Sequence, residues 1–226
     1  MSNIDLLIEV ANGLGPLCPS VIFVGGSVTE LYATDSSATE IRFTDDVDCV
    51  LELVSYSEFT KFEEELRLLK FKNDFDSNVI CRWIFNGIKV DIMPDNAEVL
   101  GFTNPWYRDG ILNSISYLLP DNLQIRIFSP AYFIASKMVA FTNRGNNQFR
   151  TSADFEDIIY ILDNRPQLQA EIKKSDNKVK LFLQSTFKHY LLSPPINEGI
   201  YCSLPHGSGD ERVEYIKSIM ASITKL

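Results

Sequence analysis

Three acidic residues and one glycine-rich turn offer chemistry in this sequence. Asp46 and Asp48 lie two apart in "RFTDDVDCVLEL", and Asp91 sits in "KVDIMP". Residues two apart on a strand project to one face. Asp46 and Asp48 are therefore expected to point together, with Asp45 a bystander on the opposite face. Side-by-side carboxylates repel, and burying them unpaired is costly. A divalent cation relieves that cost, and Mg²⁺ favours one or two carboxylates together with phosphate oxygens. With Asp91 added from a strand of the same sheet, the set fits a two-metal phosphoryl-transfer site. One ion would activate an attacking hydroxyl, and the other would hold a triphosphate and stabilise leaving pyrophosphate. Asp91 would complete the site and help deprotonate the acceptor.

The turn is Gly25-Gly26-Ser27, between the apolar run "SVIFV" and the helix-like "VTELYA". A glycine pair is entropically expensive, so the backbone has a reason for it. At a helix start such a turn presents N–H groups and a hydroxyl to a close-approaching anion. The expected occupant is the triphosphate held by the metals.

The elements that must position these residues follow from patterning. Apolar spacing over residues 2–15 predicts a helix, ended by Gly13 and Gly15. "DVDCVLELV" predicts a buried strand, and "TDSSATE" before it a polar loop. "SYSEFTKFEEELRLLKF" predicts a helix capped by Ser57, with Phe59, Phe62, Leu66 and Leu69 on one face. "NVICRWIF" and "IKVDIMP" flank Asn86-Gly87, a strong hairpin signal. "SISYLLP" and "LQIRIFS" around Asp121-Asn122 predict a second hairpin. After Pro130 the texture becomes helical, with four helices in "PAYFIASKMVAFTNR", "SADFEDIIYILDN", "NKVKLFLQSTFKHYLLS" and "GSGDERVEYIKSIMASITKL". The reading is an α/β (α+β) fold: a mixed-sheet domain over residues 1–128 and an α-helical domain over residues 129–226.

In this order, the Gly-Gly-Ser turn and helix, the D-x-D strand and the later strand carboxylate resemble the DNA-polymerase-β-like nucleotidyltransferase superfamily. The R-x-[S/T]-x-D-x-D run, matched by Arg42, Thr44, Asp46 and Asp48, is similar to AbiEii-type abortive-infection (type IV toxin) nucleotidyltransferases. In the helical half, Lys137, Ala140 and Arg144 match a K-x-x-A-x-x-x-R stretch, and Asp154 and Asp157 match D-x-x-D. Where such proteins often carry Lys before the first of those acids, this chain has Ala153. The resemblance covers roughly residues 20–165.

The resemblance implies a Mg²⁺-dependent enzyme with two ions, moving a nucleoside monophosphate from an NTP to an acceptor hydroxyl. Asp46, Asp48 and Asp91 would be metal ligands and, with Lys137, catalytic. Gly25, Gly26, Ser27, Arg42, Thr44, Lys137, Arg144 and Asp154 would bind nucleotide. In the toxin-type proteins acceptors include tRNA ends, and an antitoxin protein is the partner. Two alternatives stay open: a non-enzymatic nucleotide-binding or regulatory module of the same fold, and an antibiotic-type adenylyltransferase acting on a small molecule.

Composition narrows the classes further. With 45% hydrophobic and 23% charged residues the balance is that of a globular core. No apolar run approaches the ~20 residues of a membrane span, and "MSNIDLLIEV" lacks the basic start of a signal peptide. Four scattered cysteines without CxxC, and only two histidines, argue against zinc and for reduced thiols in the cytoplasm. A net charge of −9 means that RNA contact would need a local basic patch.

Overall fold

Helix α1 (Asn3–Leu14) starts where Ser2 accepts from Asp5 N and Asp5 reaches back to Ser2 N, a reciprocal cap. Its apolar stripe, Leu6, Leu7, Val10 and Leu14, is buried. In this computed structural model all residues are described except 39, 40, 53, 54, 102, 145 and 146. The chain divides into two compact units, Met1–Val28 with Arg42–Ser129, and Thr29–Ile41 with Pro130–Leu226.

The first unit is built on a sheet. Its strands are β1 (Val21–Val24), β2 (Asp46–Leu51), β3 (Lys72–Asn73), β4 (Arg82–Phe85), β5 (Ile88–Pro94), β6 (Ser114–Leu118) and β7 (Gln124–Phe128). They lie in the order β3-β4-β5-β2-β1-β7-β6. Pairs β2·β5 and β1·β7 are parallel and the others antiparallel, so the sheet is mixed. Val21, Ile22, Phe23 and Val24 are all buried, as befits a strand enclosed by neighbours on both sides. Helices α2 (Tyr56–Leu68), α3 (Ala97–Leu100) and α4 (Tyr107–Leu112) complete this unit.

Several expectations are refined. Helix α2 is capped by Ser55, not Ser57: Ser55 is extended, accepts from Glu58 N at 3.3 Å, and receives Glu58 Oε2 on its own N–H at 3.0 Å. Ser55-x-x-Glu58 forms a capping box that Ser57, followed three later by Thr60, cannot. Strand β4 is shorter than "NVICRWIF" suggested, and α3 and α4 were not expected. Residues 53 and 54 of the predicted second strand, and 39 and 40 of the predicted polar loop, lie outside the described residues. Asn86 (φ 47°) and Gly87 (φ 84°) both occupy the left-handed region, which a tight hairpin requires. The second hairpin also forms, with Leu118 opposite Gln124.

The second unit is helical: α5 (Pro130–Asn143), α6 (Ala153–Asn164), α7 (Leu168–Lys174), α8 (Asn177–Leu191), α9 (Ile196–Ser203) and α10 (Asp210–Ile223). Helices α7 and α9 add to the four expected. Residues from the Thr29–Ile41 segment are pinned to this unit: Thr34 and Asp35 N–H donate to Asn164 O, and Arg165 donates to Tyr32 O at 2.7 Å. Phe141, Phe149, Phe155 and Tyr190 pack ring against ring in its core, with centroids 4.8–5.9 Å apart. Among the described residues no helix is long and apolar enough to cross a membrane.

Tyr190 carries one defect: its hydroxyl is buried without a hydrogen-bond partner among the described residues. Burial, with Asp154 nearby, pushes this phenol above its ordinary range. Removing a buried, unsatisfied hydroxyl relieves a desolvation cost of about 1 kcal/mol or more. Tyr190→Phe is therefore expected to leave stability unchanged or raise it by about 1 kcal/mol in urea unfolding. A loss above ~1 kcal/mol would show that the hydroxyl has an ordered partner.

Candidate active site

The sheet register brings the acids together. Asp48 on β2 lies directly opposite Asp91 on the parallel neighbour β5. Asp46, two residues before Asp48, shares its face. Asp91 is buried, while Asp46 is partly open to solvent. Asp45 is exposed, as a bystander would be.

The glycine turn fits against this face. Gly25 has φ +75°, and a Cβ there would stand 1.9 Å from Asp48 Oδ2 and 2.8 Å from Asp48 Cβ. A Cβ on Gly26 would meet Thr44 Cγ2 at 2.7 Å and Arg42 Nη2 at 3.0 Å. Both glycines are thus demanded by close approach, at Gly25 also by backbone conformation. Ser27 is 1% exposed, and its hydroxyl has no hydrogen-bond partner among the described residues. A buried hydroxyl left unsatisfied calls for a partner, which a water molecule or a ligand oxygen can supply.

The Arg42–Asp48 run is held from behind by Asn3, which sequence reasoning missed. Its side chain is buried, donates to Arg42 O at 3.1 Å and accepts from Thr44 N at 3.1 Å. The Thr44 hydroxyl is buried, 3.2 Å from Asp46 O and 3.4 Å from Asn3 Oδ1. Through these contacts the Thr44 side chain helps shape the entry to β2. Arg42 lies alongside Gly26.

A second residue carries no motif that marks it in the sequence. Arg82, on β4, lies opposite Asp91. Its Nε and Nη2 donate to the two Asp91 oxygens at 2.7 Å each, and Nη2 also reaches Asp46 Oδ2 at 3.4 Å. The hydrogen bond to Asp91 holds the guanidinium even more firmly protonated than usual. Asp46 and Asp91 are thus joined by a planar fork. Among the described residues no group of three or more His, Cys, Asp or Glu is placed to hold a metal ion as it stands. The donor types, carboxylate oxygens on one face, are those a hard cation takes, but the Arg82 guanidinium already lies between two of them. Burial, aided by the carboxylates of Asp91 and Asp48, pushes the nearby Cys81 thiol up to about 12, and burial raises Cys49 well above its ordinary value.

Lys137, Arg144 and Asp154 form a cluster in the helical unit. Lys137 is 5% exposed, and its ammonium contacts Asp157 Oδ2 at 2.5 Å and Asp154 Oδ1 at 3.3 Å. Arg144, itself mostly exposed, forks onto Asp154 with two 2.8 Å bonds. The two cations and two carboxylates balance. Lys137 is enclosed, and its two ion pairs tie α5 to α6.

Comparison with solved structures finds an antigenic nucleotidyltransferase-like protein from Paracoccidioides brasiliensis. It matches at a TM-score of 0.52 and 16% identity, covering 89% of this chain and 93% of that one. The fold is nucleotidyltransferase-like. No protein-family model matches the sequence, and no curated protein matches it. The likeness is therefore one of architecture: a mixed sheet with helices, on which the acids and the glycine turn described above are placed.

Proposed function

We propose that this chain is a Mg²⁺-dependent nucleotidyltransferase that moves a nucleoside monophosphate from an NTP to an acceptor hydroxyl. The observation that carries the reading is the register of Asp48 against Asp91, with Asp46 on the same face and Gly25 closed against Asp48. The nucleotidyltransferase-like architecture supports it. Two divalent ions, when bound, would stabilise charge on the phosphoryl oxygens and lower the pKa of the acceptor hydroxyl. Asp46 and Asp48 would hold them, with Asp91 as third ligand. Ser27 Oγ and the Gly26 backbone would bind the triphosphate, and Arg42 would neutralise it. The acceptor in this reading is an RNA end or a small-molecule hydroxyl, the former in keeping with a toxin-type enzyme and an antitoxin partner. Four free cysteines suit a reducing, cytoplasmic setting.

The test is transfer of label from each α-labelled NTP, with Mg²⁺, to a tRNA pool and to a panel of aminoglycosides. Asp46→Asn is expected to lower transfer at least ~100-fold. Folding should survive the change, since the Asp46 side chain is 36% exposed. Transfer that persists in Asp46→Asn would overturn the metal reading. Label on RNA alone would select the toxin-type acceptor, and label on a drug alone the antibiotic type. NTP binding without transfer to either would select the non-enzymatic module.

A further inference from the structure

We propose that Arg82 is a built-in stand-in cation, which occupies the acidic face when no divalent ion is bound and must yield for one to bind. The inference rests on the metal reading of Asp46, Asp48 and Asp91. It goes beyond that reading by assigning a competitor to the site.

The geometry carries it. The Arg82 fork takes both oxygens of Asp91 at 2.7 Å, and the same Nη2 leans to Asp46 at 3.4 Å. Its side chain is 16% exposed and that of Asp91 only 9%. Unpaired, a buried carboxylate beside two others would be strongly disfavoured. Arg82 removes that penalty without any metal, so the face can fold empty. The same contacts oppose a metal in two ways. A fork that faces both Asp91 oxygens leaves no open edge for bidentate coordination. A fixed positive charge within a few ångströms also repels a second cation in this poorly solvated setting.

Removing the charge should therefore tighten divalent binding, opposite to what loss of a supporting residue would do. The measurement is Mn²⁺ binding, read from the free-ion electron paramagnetic resonance signal, for wild type, Arg82→Gln, Arg82→Lys and Asp46→Asn. Arg82→Gln is expected to bind Mn²⁺ about tenfold more tightly than wild type. Arg82→Lys, which keeps the charge, should stay near wild type, and Asp46→Asn should bind worst. Equal or weaker binding in Arg82→Gln, with Asp46→Asn still defective, would overturn the stand-in role and leave the metal reading intact. No Mn²⁺ binding in any of the four proteins would overturn both. Wild type alone supplies a second measurement should Arg82→Gln misfold. The Arg82 Nε–H signal in nitrogen-15 spectra should shift and exchange faster with water as Mg²⁺ is added. An unmoved Arg82 signal, while the β2 amides saturate with Mg²⁺, would also overturn the proposal.

Discussion

Lys137→Met is expected to destabilise the helical unit by about 3–5 kcal/mol, the range seen when one partner of a buried ion pair is removed. Met retains much of the aliphatic stem, so the loss reports the charge rather than a cavity. Asp157 is 0% exposed and Asp154 4%, and both lose the ammonium that faces them. Asp154 keeps the Arg144 fork; Asp157 loses its short contact. Asp157→Asn, added to Lys137→Met, should therefore recover part of the loss. Urea unfolding followed by circular dichroism measures both variants. A loss below ~1 kcal/mol in Lys137→Met would show that water or the backbone already satisfies these carboxylates. The cluster also sets an acid limit. Burial pushes the Asp154 carboxyl up, but Arg144 and Lys137 outweigh burial and hold it below the usual range. A carboxyl depressed on folding stabilises the native state above its unfolded value near pH 3.9, and that contribution fades as pH falls through the folded value. Wild type should accordingly lose this stabilisation only below about pH 4.

The sequence and the structure part company where charge is concerned. Strands, hairpins and the α/β-then-helical order were legible because they are local: apolar runs of strand length, Asn-Gly and Asp-Asn turns, Pro130 at a helix start. The Arg82–Asp91 pair was also legible in principle. A two-residue Asn86-Gly87 loop makes Phe85 face Ile88, and counting back three residues on each side places Arg82 opposite Asp91. No motif distinguishes Arg82 from the other cations of the chain, so only that count would have found it. The Asp48–Asp91 pairing was not legible in the same way. Strands β2 and β5 are parallel and separated by α2 and the β3–β4 pair, so no local turn sets their register. Lys137 could not be read as buried either. A cation on a helical face reads as solvated until the opposing helix is known to carry two carboxylates there. Asn3 was invisible for a similar reason: its partners lie 39 and 41 residues away.

Gly25→Ala is expected to be the most damaging small change near the acids, in stability and in transfer alike. Two costs add. At φ +75° an L-residue pays about 1–2 kcal/mol for the left-handed backbone. The new methyl would also stand 1.9 Å from Asp48 Oδ2, 2.7 Å from its Cγ and 2.8 Å from its Cβ. The last of these matters most, since a Cβ moves only with its strand. Asp48 is fixed by Val24 on one side and Asp91 on the other, so β2 has nowhere to go. Gly87→Ala isolates the backbone term: Gly87 has φ +84°, but a Cβ there meets nothing within 4 Å. Urea midpoints should therefore fall for both variants, and further for Gly25→Ala by roughly 1–3 kcal/mol of overpacking strain. In the transfer assay, a carboxylate displaced by about 1 Å should lower the rate of Gly25→Ala on the order of 100-fold. If Gly25→Ala proves no less stable than Gly87→Ala, Asp48 yields to the methyl and the turn is not what locks it. If it is less stable yet transfers normally, Asp48 is held tightly for a reason other than catalysis, and the acid face has to be read again with Asp46 and Asp91 alone.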